Sequence, residues 1–203
     1  MESVRQKIRG YDYGDPALAH SVVSMSELAL LKESAQFTDK DASYLLLAGD
    51  VLECKVKEIV SMWRSDIIAS IPHLARHSRD LQGNPLPGYL SASSLRFEQW
   101  ILDVCRRPYD QQWLDYQQEN ALRHTSVRKN RTDSVQSTDH LPLRDIIAFV
   151  AVMDRSIRPF LTVQGHSESL VEAMHAAWQK SLQIHIAIWT KVYMSVEGQT
   201  QSW

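Results

Sequence analysis

The sequence predicts an all-α protein with one domain, and the spacing of its apolar residues is the main reason. Apolar residues recur at helical steps of three and four over several long stretches, whereas no stretch alternates apolar and polar residues as a half-buried strand does. The two most regular stretches contain Leu52, Val56, Ile59, Trp63 and Ile67, and then Leu170, Met174, Trp178, Leu182, Ile186 and Trp189. A chain of 203 residues is long enough for one well-buried core and short for two domains.

The composition is that of an ordinary globular protein and argues against several other classes. Hydrophobic residues make up 44% and charged residues 23%, and a net charge of -2 gives no reason to expect nucleic acid. The longest apolar run, 146–153, is far shorter than the roughly 20 residues of a membrane helix. Residues 1–9 are polar and charged, unlike a signal peptide. Cys54 and Cys105 lie in separate helical patterns and indicate neither a disulfide framework nor a thiolate metal site. We therefore expect a cytoplasmic protein with no nucleic-acid or membrane partner.

The first 24 residues are expected to form an irregular N-terminal arm, because glycines and a proline stand there among polar residues. Such an arm is ordered only if something anchors it, and Tyr11 and Tyr13 are the candidates. After the arm, Ser24 or Ser26 is placed to cap a short helix that runs through residue 34. Thr38, with an acid three positions on, resembles a capping box at the next helix start.

Longer helices follow, separated by prolines, glycines and one polar connection. The expected long helices span 44–68, 90–104, 110–124, 142–163 and a last stretch from Ser167 or Ser169 to about 195. Segments 80–88 and 123–139 have the composition of loops. The expected domain therefore covers 25–195, and 196–203 is expected to be a frayed tail.

His124 is the residue around which we expect the functional site to be organised. Counting back in helical steps reaches Trp113 and Tyr109, so the imidazole shares its side of the helix with two large aromatics. Neutral imidazole is a common axial donor to haem iron. A histidine near a helix C-terminus also commonly serves the helix dipole or packs as a half-buried residue. Spacing alone leaves both interpretations open.

Several longer motifs resemble the protoglobin family, in the matching order and over nearly the whole chain. They are Gly-Tyr-Asp-Tyr-Gly at 10–14, Trp-Ile-Leu-Asp at 100–103, Tyr-Asp-Gln-Gln-Trp-Leu-Asp-Tyr-Gln at 109–117, Leu-Arg-His at 122–124, Lys-Asn at 129–130 and Arg-Pro-Phe-Leu at 158–161. The resemblance implies a globin-like fold with an N-terminal extension and an extra N-terminal helix, related to the sensor domains of globin-coupled sensors. It also implies a haem cofactor with His124 as the proximal ligand, and an arm that helps to enclose the haem.

Aromatic residues are expected to line the haem pocket. From the residues alone, Trp63, Phe97 and Phe149 are core packing. The resemblance assigns Trp63 and Phe97 to the distal side, where a ligand binds, and Phe149 to the long inner helix. Met153 is expected among the cofactor-binding residues as well.

Arg64 is a departure from the family, in which a tyrosine usually follows the distal tryptophan. The segment from Arg64 to Pro72 also looks one residue longer than in the family. A guanidinium can donate to a bound ligand, reach a haem propionate or extend to solvent. We favour contact with a haem propionate or extension to solvent, since burying an unpaired cation costs several kcal/mol. On that interpretation, replacing Arg64 changes O2 dissociation little.

Basic residues offer further partners for haem propionates. Arg96 is the preferred single candidate. The cluster Arg123, Arg128, Lys129 and Arg131 is expected to be, for the most part, a solvated loop.

The function predicted from these observations is a b-type haem protein that binds O2, CO and NO, with His124 as its only protein ligand. A rival is haem-dependent redox catalysis on peroxide, nitrite or NO, which an open sixth position allows, although no acid–base pair typical of a dedicated peroxidase is evident. A third alternative is a chain that has lost haem and acts as a helical interaction protein. The resemblance also implies a homodimer through the last two helices, and Trp178, Ile186 and Trp189 spread widely enough around the final helix to serve two interfaces.

Overall fold

The computed structural model describes residues 8–196, and these fold into helices joined by turns. The α-helices are α1 (Met25–Ser34), α2 (Asp39–Leu52), α3 (Val56–Ser61), α4 (Pro72–Ala75), α5 (Pro87–Arg106), α6 (Gln111–Leu122), α7 (Leu143–Leu161) and α8 (Glu168–Ser195). A π-helical segment, Met62–Ile67, and a 3-10 turn, Ile68–Ser70, continue from α3, and a second 3-10 turn, Arg76–Ser78, follows α4. The predicted all-α class is confirmed.

Side-chain caps are found at four helix starts that the sequence predicts. The side chains of Ser24, Thr38, Asp110 and Ser167 each accept a backbone N–H from the first turn of α1, α2, α6 and α8. At Ser24 and Thr38 an acidic residue three positions on reaches back to the cap amide and completes a capping box. These starts are local features, which explains why the sequence reveals them.

The helix predicted over 44–68 is wrong in its continuity. The chain turns helical at Asp39, directly after the predicted Thr38 cap, and the helix is interrupted after Leu52 by a turn at residues 53–55 before the chain continues into α3 and the π segment. The apolar period continues across the break because Leu52, Val56 and Ile59 all remain buried. Only polar or exposed residues occupy the turn, so the interruption removes little apolar contact.

The last helix, α8, is the centre of the core and packs against α2, α6 and α7. Trp178 is fully buried and Trp189 is 9% exposed, while Ile186 is half-buried and packs against the core. These residues therefore serve the interior of one chain and no longer support the homodimer that the family resemblance implies. Within residues 8–196, no helix is long and apolar enough to cross a membrane.

The N-terminal arm is anchored by its tyrosines, as the sequence predicts. The rings of Tyr11 and Tyr13 both pack edge-on against Tyr116 of α6, at centroid distances of 5.4 and 5.3 Å. The Tyr11 hydroxyl also donates to the buried carboxylate of Asp103 in α5, at 2.9 Å. The frayed tail predicted for 196–203 lies outside the described residues except for Val196.

Candidate functional site

A cavity of about 240 Å³ lies between the π segment and helices α5, α6, α7 and α8. The predicted site residues that line it are Arg64, Arg96, Phe97, His124, Phe149 and Met153. Trp63 does not line the cavity, although it was expected to. It is fully buried behind the wall, with its ring 5.0 Å from that of Phe97, and its Nε1–H donates to Ser156. Trp63 therefore supports the aromatic wall from behind.

His124 follows directly after α6 and its C-cap residue, and its imidazole lines the cavity. The Nδ1–H donates to the backbone carbonyl of Asn120 at 2.8 Å. Because a carbonyl only accepts hydrogen bonds, this contact fixes the tautomer and leaves the lone pair on Nε2. Burial lowers the pKa of His124 to about 4, so the ring is neutral near neutral pH. A neutral imidazole with its other nitrogen held by a carbonyl is the state in which histidine binds a metal.

Neighbouring helices hold the His124 segment in place. The ring of His124 packs against that of Trp189 in α8, with centroids 5.0 Å apart. The backbone carbonyl of His124 accepts the amide of Leu141, at 2.7 Å, just before α7 begins. The imidazole is therefore fixed between α6, α7 and α8 rather than carried on a free helix end.

Arg64 lies inside the cavity wall, so the expectation that it extends to solvent is wrong. It belongs to the π segment, in which the amide of Ile68 donates to the carbonyl of Trp63 five residues earlier. A π turn holds one more residue than an α turn, which agrees with the extra residue that the sequence indicates before Pro72. The register of the side chains shifts accordingly, and Arg64 faces Ser93 and Phe97 of α5.

Arg96 also lines the cavity, but its guanidinium already has a carboxylate partner. It forms two hydrogen bonds with Asp133, whose side chain is 3% exposed, and a third with the backbone carbonyl of Arg9 in the arm. The expectation that Arg96 is the best free partner for a propionate is therefore corrected, because its charge is compensated within the chain. Gly10 passes close to this pair with a positive φ of 71°, and a side chain there would press on Arg96.

Two residues of the basic cluster line the cavity, contrary to the expectation of a solvated loop. Arg123 pairs with Glu119 and with Asp12 of the arm. Lys129 is 5% exposed, and its Nζ donates to the backbone carbonyl of Thr138 at 2.7 Å. Burial lowers the pKa of Lys129 to about 8. Both residues line the cavity.

Several residues that line the cavity were not predicted from the sequence. Tyr89 and Ser93 lie eight and four positions before Phe97 on α5, so the helical period would have placed them on the same face. His185 lies one turn before Trp189 on α8, and because no metal-ligand spacing surrounds it, the sequence predicts an ordinary core or surface histidine. Its Nδ1 hydrogen bonds to the carbonyl of Ser181, and its buried Nε2 has no hydrogen-bond partner. His77 lines the cavity as well.

The donors and walls of this cavity fit a haem. Phe97, Phe149 and Met153 supply apolar contact, and His124 supplies a neutral axial nitrogen. A haem also brings two negatively charged propionates. Arg64 and Lys129 are cavity cations with no carboxylate within salt-bridge distance among residues 8–196, so the lining has charge available for them.

An all-α fold with a neutral, carbonyl-held histidine at such a cavity is the arrangement of the globin class of haem proteins. A family model described as Protoglobin matches residues 24–198. The chain therefore belongs to the Protoglobin family, and membership implies a haem cofactor and gas ligands. No match to the chain is found among curated proteins.

Proposed function

We propose that this chain binds haem b through His124 and takes O2, CO or NO on the opposite side of the haem, for gas binding or sensing. The observation that carries the proposal is the state of His124: it lines the cavity, is neutral and is held at Nδ1 by the carbonyl of Asn120, with its other nitrogen free to bind iron. Ferrous haem supplies an open coordination position for a diatomic ligand.

The surrounding residues would exclude water and hold the haem in place. Phe97, Phe149 and Met153 provide apolar walls, and Trp63 stiffens the first two from behind. Lys129 is the cation best suited to a propionate, since its charge has no carboxylate partner within salt-bridge distance in the described chain. The arm adds cover, because it bonds to cavity-lining Arg96 and Arg123.

Absorption spectra of the purified full chain test the proposal. We expect a haem stoichiometry of one per chain, an extracted haem with the pyridine spectrum of haem b, and a shifted Soret band when CO is added to the reduced protein. Absence of haem uptake after reconstitution would overturn the proposal. A covalently attached haem would overturn only the haem b assignment.

Haem-dependent redox catalysis on peroxide, nitrite or NO is a second candidate function. The presence of Arg64 in the cavity wall favours it, since a cation near an open coordination position stabilises developing negative charge. Turnover of peroxide or nitrite by wild type and by an Arg64→Leu variant would distinguish this activity from simple gas binding.

We further propose a cytoplasmic homodimer that associates through α7 and α8. The cytoplasmic location is supported by the two free cysteines, one of them exposed. For the dimer, the apolar residues available on these helices are Ile147 and Met194, 40% and 81% exposed, rather than the buried tryptophans. Sedimentation at micromolar concentration should give a dimer that Ile147→Arg dissociates. A wild-type monomer would contradict the proposal.

A further inference from the structure

The guanidinium of Arg64 is a cation in the cavity wall whose charge no carboxylate compensates. Its Nη2 donates to the hydroxyl of Ser93 at 3.0 Å, and its Cζ lies 5.7 Å from the centre of the Phe97 ring. Its Nε is buried and has no hydrogen-bond partner. Guanidinium has five N–H donors, so most of its hydrogen-bonding capacity is unused by the described chain.

The ionisable groups that face Arg64 do not compensate its charge. Tyr89 is one of them, and burial raises the pKa of its hydroxyl, so that it stays neutral. Arg96 is the other, and it carries the same charge. Burial lowers the pKa of Arg64, but a guanidinium remains protonated at any ordinary pH.

The other arginines of the cavity lining differ from Arg64 in this respect. Arg96 binds Asp133, and Arg123 binds Glu119, so each already has its counter-charge. A half-buried cation without a counter-charge in an apolar cavity wall is costly, and it is retained most readily where an anion arrives to pair with it. The planar fork of a guanidinium also matches the two oxygens of an oxyanion.

We infer that Arg64 makes this cavity a site for small anionic ligands, of which nitrite is the oxyanion example and fluoride the halide example. The inference rests on the proposed function, since these anions would bind at the haem held by His124. Ser93 and Phe97 hold the guanidinium in one place, so the charge is positioned before the ligand enters. A haem propionate has the same carboxylate chemistry and is the competing occupant.

Ligand titrations of the ferric, haem-loaded full chain test this inference. Nitrite and fluoride serve as anionic probes, and imidazole serves as a neutral ligand of the same iron. The variants are Arg64→Leu, which removes the charge, and Arg64→Lys, which keeps it. Arg155→Leu is the matched control, because Arg155 lies on the exposed side of α7.

For Arg64→Leu we expect the dissociation constants of nitrite and fluoride to rise roughly ten- to a hundredfold, as for loss of a charge-assisted hydrogen bond. Imidazole affinity should not fall, Arg64→Lys should recover part of the anion affinity, and Arg155→Leu should behave as wild type. Equal changes for anions and imidazole, or no change for either, would overturn the inference.

Two further measurements keep the result decisive. Arg64→Leu is uninformative only if it fails to retain haem. In that case Arg64→Gln takes its place, because glutamine keeps a hydrogen-bond donor but removes the charge. The ratio of anion affinity to imidazole affinity is then measured for Arg64→Gln. If Arg64 pairs with a haem propionate instead, Arg64→Leu will lose haem faster than wild type. The two proteins will then lose haem dimethyl ester at the same rate, because the ester has no charged propionate. This pair of results would contradict the inference. A wild-type chain without haem absorption would instead refute the proposed function before any titration begins.

Discussion

His124 donates its Nδ1 proton to the backbone carbonyl of Asn120, one helical turn earlier, at 2.8 Å. The bond orients the ring and fixes its tautomer, so that Nε2 carries the lone pair for a metal. The acceptor is a main-chain atom of α6, which means that the orientation depends on the helix and not on a second side chain. Substitutions of Asn120 would therefore leave this bond in place.

We predict that His124→Ala loses most of its haem during purification, because the axial bond that holds the iron is removed. Haem stoichiometry measures the loss, and added imidazole should restore part of the ferrous CO spectrum. His73→Ala is the control, since His73 is exposed on α4. Full occupancy with an unchanged CO spectrum in His124→Ala would refute the proximal assignment.

Two other histidines at the cavity limit how much haem His124→Ala is expected to lose. The sequence predicts His124 as the only protein ligand of the iron, yet His185 and His77 both line the cavity, and within residues 8–196 neither buried Nε2 has a hydrogen-bond partner. Residual haem in His124→Ala is therefore expected to depend on one of them. The double variant with His185→Ala or with His77→Ala identifies which one.

Helix starts and the lining of the cavity differ in how far the sequence could predict them. Caps such as Ser24 and Thr38 act on the next turn of the same chain, so a short window reveals them. The partner of Arg96 is Asp133, 37 positions away, and only the packing of the arm and the loop before α7 brings them together. Sequence patterns identify a basic residue, but its counter-charge is a tertiary contact.

The same limit explains the result at Arg64. The helical spacing from Val60 to Ile68 predicts that Arg64 lies beside the pocket, and the structure places it there. The expectation of solvent instead rested on the cost of burying an unpaired cation, and the contacts with Ser93 and Phe97 that hold the guanidinium at the cavity belong to another helix. Phe97, Phe149 and Met153 also line the cavity, but for the two phenylalanines the family resemblance, and not the helical period, predicted this position.

We predict that Tyr11→Phe destabilises the protein, because the Tyr11 hydroxyl donates to the buried Asp103 carboxylate. The expected loss in free energy of unfolding is about 1.5 kcal/mol, at the low end for a bond to a charged group because Gln99 and Arg107 still donate to Asp103. Urea unfolding measures it, and limited proteolysis should detect a looser arm.

Tyr13→Phe is the matched control for this prediction. Tyr13 packs on the same Tyr116 ring and lies under the guanidinium of Arg107, at 4.0 Å, so its contacts use the ring and not the hydroxyl. The variant should therefore unfold at nearly the wild-type urea concentration. Because phenylalanine keeps the ring, an unchanged urea midpoint in Tyr11→Phe would mean that ring packing, rather than the bond to Asp103, anchors the arm.

We predict that haem-free protein loses stability as the pH falls from about 6.5 towards 4. Burial lowers the pKa of His185 to about 4, while an unfolded histidine has a pKa of about 6.5. The unfolded state therefore binds a proton in this window that the folded state does not, so acid favours unfolding, and the stabilisation is complete above the unfolded pKa. Each such histidine contributes a slope of up to about 1.4 kcal/mol per pH unit.

Urea unfolding across this pH window measures the slope. His77 and His124, whose pKa values burial lowers to about 3 and about 4, contribute in the same direction. His185→Gln should reduce the slope of unfolding free energy against pH by the contribution of one proton. His73→Gln should leave the slope unchanged, because His73 is exposed. A slope unchanged by His185→Gln would show that this ring is protonated equally in both states.

The last prediction concerns O2 and CO at the reduced haem. The sequence favours an Arg64 side chain that reaches solvent or a haem propionate, and such a side chain would affect O2 dissociation little. The structure instead places the Arg64 guanidinium in the cavity wall beside Phe97. O2 gains more negative charge on binding than CO does, so a charged donor should hold O2 selectively. We therefore expect Arg64→Leu to accelerate O2 dissociation roughly ten- to a hundredfold and to change CO dissociation little.

Stopped-flow measurements on both ligands provide the comparison, with Arg155→Leu as control. Equal acceleration of the two would instead indicate that Arg64 controls access to the cavity, because access does not depend on the charge of the ligand.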